Sequence, residues 1–302
     1  MSSRSPRPSW TQLPDLAQPP PTLLDWLADR FPRVAREEWR SRLQRGLVRT
    51  EDGRPLPVEA PYVARLRVSY FREVAAEPAQ GDVRVVEVGE RLVVADKPPF
   101  VPVIPGGRFV RSCLLYRLEE QLGIAGLTPV HRLDRATSGL VLFARRGEDC
   151  GAYAGLFARG RMCRTYEALA SVPERPRGRR WRVESRLAAG EPFFRVAAVP
   201  GPPNARTRVD LVGWRDGVGR FRLRPLSGRK HQLRVHMASL GWPILGDRLY
   251  PELADERPDD AARPLSLVAA RLVFRDPFDG SRRDLASAFD VERLTPGSRH
   301  DS

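Results

Sequence analysis

The sequence predicts an α+β fold in which helices pack on a mixed, largely antiparallel sheet. Alternating apolar and polar residues predict strands at 164–170, 181–187, 193–199, 205–213 and 219–225. Strands that follow one another with few crossover helices are typical of antiparallel sheets. Apolar residues at helical spacing predict the packed helices, which we place at 113–122, 153–157 and 229–240.

Four segments of different composition predict the domain organisation. Residues 1–20 are rich in proline and serine and predict a disordered tail. Residues 21–78 predict a small module of two short helices and a hairpin. Residues 79–290 are long enough for the α+β domain, and residues 291–302 predict a second disordered tail.

Positive charge is concentrated in one part of the chain. The 302 residues carry a formal net charge of +14. Residues 159–234 hold 19 Lys or Arg and 6 Asp or Glu, a difference of 13. An arginine-rich genome would spread the charge evenly, whereas a nucleic-acid footprint would concentrate it. The charge therefore favours a polyanionic partner.

Cysteine usage and hydropathy indicate the compartment. The three cysteines form no CxxC pair and are odd in number, which argues against a disulfide framework and a structural zinc. The first 20 residues lack the apolar region of a signal peptide, and no apolar run approaches 18 residues. We therefore expect a cytoplasmic protein with no membrane partner.

The first segment with unusual polar residues runs from His131 to Leu140 and leads into an apolar strand at 139–144. Asp134 stands between arginines in this segment and is expected to stay ionised. An ionised carboxylate is what a nucleophile requires. Taken alone, the segment is explained more simply by an ion-paired aspartate that braces a turn.

Two further segments add candidate residues. Tyr166 opens a predicted strand and, by itself, would be an ordinary core residue. Arg234 lies beside the apolar stripe of the predicted helix 229–240, where its guanidinium could reach a half-buried carboxylate. The start of that helix is crowded by Arg229, Lys230 and His231, which is unfavourable unless an anion such as phosphate lies opposite.

Taken together, these segments resemble the RluA-type pseudouridine synthase family. The run His131–Gly139 resembles the catalytic motif of that family, and Gly228–His236 with Gly246-Asp247 resembles its late motif. Lys97-Pro98 and the strand of Tyr166 also fall where the family has similar residues. The resemblance covers about residues 81–275.

The resemblance implies roles for individual residues. Asp134 would be the catalytic aspartate, Tyr166 would lie against the target uracil, and Arg234 would pair with the aspartate. Arg132 would enter the RNA stack when the target base leaves it, and Leu267 would line the base pocket. The other expected RNA contacts are His131, Arg135, Arg229, Lys230 and His231.

The chain departs from the family pattern at two positions. Val268 stands where the family often has a histidine, which puts local hydrogen bonding in doubt. Lys230 stands where the family usually has a small hydroxyl residue. Neither change removes one of the residues expected to carry the chemistry.

The implied reaction is the isomerisation of uridine to pseudouridine in structured RNA. The target base must leave its stack, at a cost of roughly a few kcal/mol. No redox change occurs and no group is lost, so we expect no cofactor and no metal. Asp134 could add to the uracil ring or act on the ribose. Large-subunit ribosomal RNA is the favoured substrate, with the transfer-RNA anticodon stem-loop next, and a monomer is expected.

The N-terminal segment 21–78 resembles an alpha-L type RNA-binding module. Its predicted helices and hairpin would present Arg40, Arg42, Arg45 and Arg49 to RNA. A structural cap with a solvated basic face is the alternative.

Two other functions are compatible with parts of the sequence. A metal-dependent hydrolase could use His131, Asp134, His231 and His236, but the last two would point about 140° apart on a helix. A non-catalytic RNA-binding or ribosome-associated protein would explain the charge. It would not explain an aspartate inside a basic motif, where it repels phosphate.

Overall fold

The computed structural model describes residues 3–78, 81–254 and 259–294. The chain divides into two compact units. One comprises residues 1–78 with 105–111, and the other comprises residues 79–104 with 112–302.

The N-terminal unit is a small α+β structure. Its elements are β1 (Ser3–Arg4), β2 (Ser9–Gln12), α1 (Leu23–Arg30), α2 (Arg36–Gln44), β3 (Val48–Thr50), β4 (Arg67–Tyr70) and β5 (Glu73–Val74). Strands β2, β4 and β3 form an antiparallel sheet in that order. Both helices bury their apolar faces in one core, which is built around the fully buried Trp39. Thr22 caps α1 by accepting a hydrogen bond from the Asp25 amide.

The prediction of a disordered tail over residues 1–20 is wrong for much of that segment. Strand β2 pairs with β4 in the register Ser9 to Tyr70. Leu13 is buried in the core of the N-terminal unit. The proline-rich composition concealed a short segment whose alternate residues pack on an existing sheet.

The arginines of the N-terminal unit are largely engaged within it. Arg42 is buried, pairs with Glu38 and stacks on Trp39. Arg45 donates two hydrogen bonds to Glu73. The predicted basic face therefore contains at least two arginines that stabilise this unit.

The larger unit contains the remaining strands and helices. They are β6 (Arg84–Val88), β7 (Leu92–Lys97), α3 (Leu114–Leu122), β8 (Thr128–Pro129), β9 (Ser138–Ala144), α4 (Cys150–Ala158), β10 (Cys163–Ser171), β11 (Arg180–Ala189), β12 (Val196–Val199), β13 (Ala205–Arg215), β14 (Val218–Pro225), α5 (Gln232–Ser239), β15 (Leu267–Arg275) and β16 (Arg282–Ala286). Short 3₁₀ helices lie at Gly147–Asp149 and Val291–Leu294.

These strands form one 11-stranded sheet in the order β12-β11-β13-β14-β10-β15-β9-β7-β6, with β16 on β15 and β8 on β9. Only β9 and β15 pair in parallel, and the other described pairs are antiparallel. The predicted fold class, α+β with a mixed and largely antiparallel sheet, is confirmed. Helices α3, α4 and α5 supply apolar side chains to three separate clusters on this sheet.

The parallel junction of β9 and β15 depends on a glycine. Gly139 pairs with Ala269 and has φ of +109°. A Cβ at this position would lie 2.5 Å from the Ala269 carbonyl oxygen. Only glycine allows this approach, and it holds the segment that precedes β9 against the middle of the sheet.

Two of the differences between predicted and observed boundaries have a clear physical cause. Helix α5 begins at Gln232 instead of residue 229, because His231 adopts a left-handed conformation with φ of +53°. The predicted disordered tail 291–302 begins too early, because Val291 is buried beside Leu169 and Val268. Residues 295–302 lie outside the part of the chain that the structure describes.

Candidate active site

The candidate site centres on the carboxylate of Asp134, in the loop that leads into β9. The Asp134 carbonyl accepts a hydrogen bond from the Thr137 amide at 3.1 Å, which closes a turn. The Asp134 side chain is 28% exposed. A carboxylate held in this way is fixed by the sheet but still open to a substrate.

Arg234 reaches this carboxylate from α5. Its Nη1 lies 3.8 Å from Asp134 Oδ2, while its Nε and Nη2 donate to the two carboxylate oxygens of Asp247 at 2.8 and 2.6 Å. The main partner of Arg234 is therefore Asp247, and the predicted pair with Asp134 is the longer contact. Because a guanidinium is planar, the Asp247 fork fixes the direction in which Nη1 points.

Asp247 is held by a turn that requires glycine. Gly246 has φ of +76°, and a Cβ there would lie 2.2 Å from the Pro264 carbonyl oxygen. Asp247 Oδ1 also accepts hydrogen bonds from the amides of Leu249 and Tyr250. The Asp247 carboxylate is buried, and each partner described above donates a hydrogen bond to it. It can therefore hold a buried arginine in place.

His231 faces the same carboxylate. Its Nε2 lies 3.9 Å from Asp134 Oδ2, and its Nδ1 lies 2.8 Å from the Tyr250 hydroxyl. Because an ionised carboxylate can only accept, we assign the imidazole hydrogen to Nε2, which faces Asp134, and the Tyr250 hydroxyl hydrogen to His231 Nδ1. Burial lowers the pKa of His231 to about 4, so the ring is neutral near pH 7.

Tyr250→Phe is expected to loosen His231. The change leaves the buried Val196 amide without its acceptor and His231 Nδ1 without its donor, so the free energy of unfolding should fall by about 1–3 kcal/mol. Chemical denaturation at pH 7 measures this loss. An unfolding free energy equal to that of wild type would contradict the hydrogen-bond assignment.

Lys97 brings a further cation to the site from the end of β7. It is fully buried, and its Nζ donates to the carbonyls of Pro98 and Arg135 at 2.9 and 3.0 Å. Burial lowers the pKa of Lys97 to about 7, and the charge of Asp134 opposes this shift. The lysine thus ties the strand end to the Asp134 loop and titrates near neutral pH.

Lys97→Met is expected to change how stability depends on pH. Between about pH 7 and pH 10.5 the unfolded chain holds a proton on Lys97 that the folded protein has released. Wild-type stability should therefore rise with pH relative to the variant in this window, by up to about 1.4 kcal/mol per unit. Urea denaturation across the window measures the difference, and a constant difference would contradict the assignment.

Tyr166 and Leu267 flank the site on neighbouring strands. Tyr166 is half-buried on β10, and Leu267 is buried on β15 in the same apolar cluster. Burial raises the pKa of the Tyr166 phenol, and the charge of Asp134 raises it further. The ring is therefore neutral and shares the electrostatic environment of Asp134.

The residues that precede and follow Asp134 lie in different surroundings. Arg132 is exposed. Arg135 donates to Asp259 from both terminal nitrogens and stacks on Phe100. A positive charge beside Asp134 therefore comes from Arg234, which is distant in sequence, while the adjacent Arg135 is engaged by Asp259.

His131 is a structural residue in this fold. Its Nε2 accepts a hydrogen bond from the Leu142 amide at 3.2 Å, and its ring packs on Phe157. Burial lowers its pKa to about 3, so the ring is neutral. These interactions engage Nε2 and pack the ring on Phe157, and the contact between His131 and RNA stays a prediction.

The loop before α5 presents Arg229 and Lys230 to solvent. Gln232 holds this loop through hydrogen bonds from the Arg229 amide and the Ser227 hydroxyl. The two cations therefore stand at an ordered helix start, where a phosphate would be stabilised. His231, which was predicted to join them, instead turns toward Asp134.

The remaining histidine is also structural. His236 is buried between the hydroxyls of Thr207 and Ser185, at 2.8 and 2.9 Å. In residues 3–78, 81–254 and 259–294, no three His, Cys, Asp or Glu side chains group together as metal ligands would. No helix in those ranges is both long and apolar enough to cross a bilayer.

Sequence reasoning missed three residues of this site. Asp247 was noticed as part of a motif but not as the partner of Arg234, and Tyr250 was given no role. Lys97 was noted only because Lys97-Pro98 falls where the family has similar residues. A usable signal existed for Lys97, because a lysine that ends the apolar run Leu92–Lys97 must find buried acceptors.

Comparisons with known proteins identify the class. The RNA pseudouridylate synthase family matches residues 91–239. The dual-specificity RNA pseudouridine synthase RluA of Pasteurella multocida is 31% identical over 64% of this chain and 87% of its own length. An uncharacterised RNA pseudouridine synthase of Synechocystis is 29% identical over 76% of this chain and 79% of its own.

A solved structure supports the fold. Human RNA pseudouridylate synthase domain containing 1 aligns with a TM-score of 0.57 and 24% identity, over 71% of this chain and 86% of that one. The fold and the matches define a pseudouridine synthase, an isomerase that acts on RNA. Within this class the chain belongs to the RluA-type family. It spans 32–79% of the length of the first curated relatives that it matches.

Proposed function

We propose that this protein converts specific uridines of large-subunit ribosomal RNA to pseudouridine, with Asp134 as the essential carboxylate. The observation that carries the proposal is the convergence of Arg234 and His231 on one partly exposed carboxylate, with the buried Lys97 donating to the adjacent Arg135 carbonyl. These groups come from two distant segments of the chain, and each is held by buried partners. Burying and orienting several ionisable groups around one carboxylate costs folding free energy, and such clusters are typical of catalytic sites.

Each group has a physical task in the proposed reaction. The Arg234 guanidinium, aimed by Asp247, holds the Asp134 carboxylate oriented while the bond between ribose and base breaks. The neutral His231 presents Nε2–H 3.9 Å from the same oxygen without adding a full charge. Preorganised donors of this kind need no reorganisation when charge shifts during the reaction.

The target uridine must be extruded from its stack before Asp134 can reach it. Arg132 is exposed two residues from Asp134, where its planar guanidinium can fill the vacated position. Tyr166 lies beside the carboxylate and offers an aromatic face to the flipped uracil. Arg229 and Lys230 would hold the flanking phosphates.

Ribosomal RNA is proposed as the substrate because the basic segment is extensive. A transfer-RNA anticodon stem-loop is the second candidate, since a relative in Saccharomyces cerevisiae, 31% identical over 56% of this chain, is named a mitochondrial tRNA pseudouridine(32) synthase. The test is to incubate the purified protein with transcripts of the large-subunit ribosomal RNA and of the transfer RNAs, and then to locate pseudouridine. Product in ribosomal RNA supports the proposal, and product confined to transfer RNA supports the second candidate.

Absence of product in every transcript would contradict both candidates, provided that the protein is folded. Pre-treatment with EDTA is expected to leave the amount of product unchanged, because every step above is assigned to protein side chains. Loss of product with EDTA and its recovery with a divalent ion would instead favour a metal-dependent route.

A further inference from the structure

The three-stranded surface of β11, β13 and β14 carries arginines that the active site does not use. Side chains alternate along a strand, so alternate residues share one face. One face therefore presents eight arginines, which we call the arginine face: Arg180, Arg182, Arg186, Arg206, Arg208, Arg220, Arg222 and Arg224.

This face points away from the side of the sheet that bears α5. Val209 and Leu223, the sequence neighbours of Arg208 and Arg224, are buried in the same cluster as Leu233 of α5. Tyr166 is partly buried in that cluster too. The arginine face and Tyr166 therefore belong to opposite sides of the sheet.

Three of these arginines stand in direct register across neighbouring strands. In the strand register, Arg182 lies directly opposite Arg208, and Arg208 lies directly opposite Arg224. Strands lie about 4.8 Å apart, so the row spans about 10 Å. Like charges at directly opposed positions destabilise a sheet. A row of them therefore indicates a function that offsets the loss of stability.

The acidic residues on this face compensate only part of the charge. Glu184 pairs with Arg182 and Arg206, and Asp210 pairs with Arg224 at 2.7 Å. Glu167 and Glu292 pair with Arg220, so four carboxylates against eight arginines leave four positive charges. In the part of the chain that the structure describes, Arg208, at the centre of the row, takes part in no ion pair.

We propose that the arginine face is a second RNA-binding surface, which holds the phosphate backbone of RNA that extends beyond the target stem-loop. A row of guanidinium groups fits a phosphate backbone because each can donate two parallel hydrogen bonds to one phosphate. The surface would anchor a long RNA while the opposite side of the sheet handles the flipped uridine. The proposal rests on the proposed function only in taking RNA as the polyanion.

The test compares two RNAs, a bare hairpin of about 20 nucleotides and the same hairpin with single-stranded arms of about 20 nucleotides on each side. The triple variant R182Q/R208Q/R224Q is expected to bind the long RNA roughly tenfold more weakly than wild type. The slope of log affinity against log salt should fall by about 2. Binding of the bare hairpin should stay within about twofold of wild type.

A matched variant controls for the loss of net charge. R146Q/R275Q/R282Q removes three exposed arginines of the same unit that lie outside the arginine face. It should bind the long RNA within about twofold of wild type. R208Q alone should melt at the wild-type temperature or above, because it relieves repulsion within the row.

Three results would overturn the proposal. They are unchanged binding of the long RNA by a folded R182Q/R208Q/R224Q, an equal loss in the control triple, and an equal loss for the bare hairpin. The measurement needs no turnover. If the wild-type protein binds the long RNA but forms no pseudouridine in any RNA, the proposed function fails. The binding comparison between wild type and the variants still tests the arginine face.

Discussion

Asp134→Asn is expected to lower pseudouridine formation by at least about a thousandfold while RNA binding stays within about twofold of wild type. The amide keeps the shape of the side chain and a carbonyl oxygen near Arg234 and His231, but it is neither a nucleophile nor a base at neutral pH. Release of tritium from carbon 5 of labelled uridine measures turnover, and a filter-binding assay measures affinity.

The control for this substitution is Asp216→Asn, at the exposed turn between β13 and β14. It removes the same charge from the same unit and should leave turnover at the wild-type level. Turnover by Asp134→Asn within about tenfold of wild type would remove the carboxylate from the chemistry.

Asp247→Ala is expected to have the largest effect on stability. The change leaves Arg234, which is 5% exposed, as a buried cation without its bidentate partner. Breaking a buried pair on one side costs about 3–5 kcal/mol of unfolding free energy. Turnover should also fall about 100-fold, because Nη1 of Arg234 is no longer aimed at Asp134.

Two comparisons separate the stability effect from the catalytic effect. Asp284→Ala removes the exposed ion pair between Arg271 on β15 and Asp284 on β16. It should lower the free energy of unfolding by at most about 1 kcal/mol. The double variant R234M/D247L replaces the buried pair with apolar groups and should regain most of the stability, since such replacements are often neutral. Its turnover should stay low. Recovery of turnover along with stability would mean that the pair only supports the fold.

The fold was predictable because its signals are local. Alternation in 181–187, 205–213 and 219–225 predicted three strands that the structure contains with slightly longer bounds. Helix 113–122 was predicted from apolar spacing and is present as α3. Residues 1–20 were not predictable in this way, because β2 exists only through its pairing with β4.

The site was predictable in its residues but not in its contacts. Asp134, Tyr166 and Arg234 were selected from their motifs; the structure brings Arg234 within 3.8 Å of Asp134, and the catalytic roles of all three stay predictions. The bidentate pair of Arg234 with Asp247 joins a helix to a tight turn 13 residues later, and no periodicity encodes that contact. The direction of the His231 side chain was not predicted, because the left-handed backbone at this residue turns the side chain away from the direction that a helix would give it.

The segment of concentrated charge divides into two parts in the structure. Arg234 lies at the candidate active site, 3.8 Å from Asp134, and the exposed Arg229 and Lys230 stand at the start of α5. The strand arginines form a separate face on the other side of the sheet. Sequence position could not separate the two parts, because the alternation of β13 and β14 decides which side each arginine occupies.

Mapping pseudouridine in cells that lack this protein tests the central claim most directly. The account predicts that one or more pseudouridines disappear from the large-subunit ribosomal RNA. They should return when the wild-type protein is supplied and stay absent when Asp134→Asn is supplied at an equal level. Restoration by Asp134→Asn, or an unchanged pseudouridine map in the deletion strain, would contradict the account.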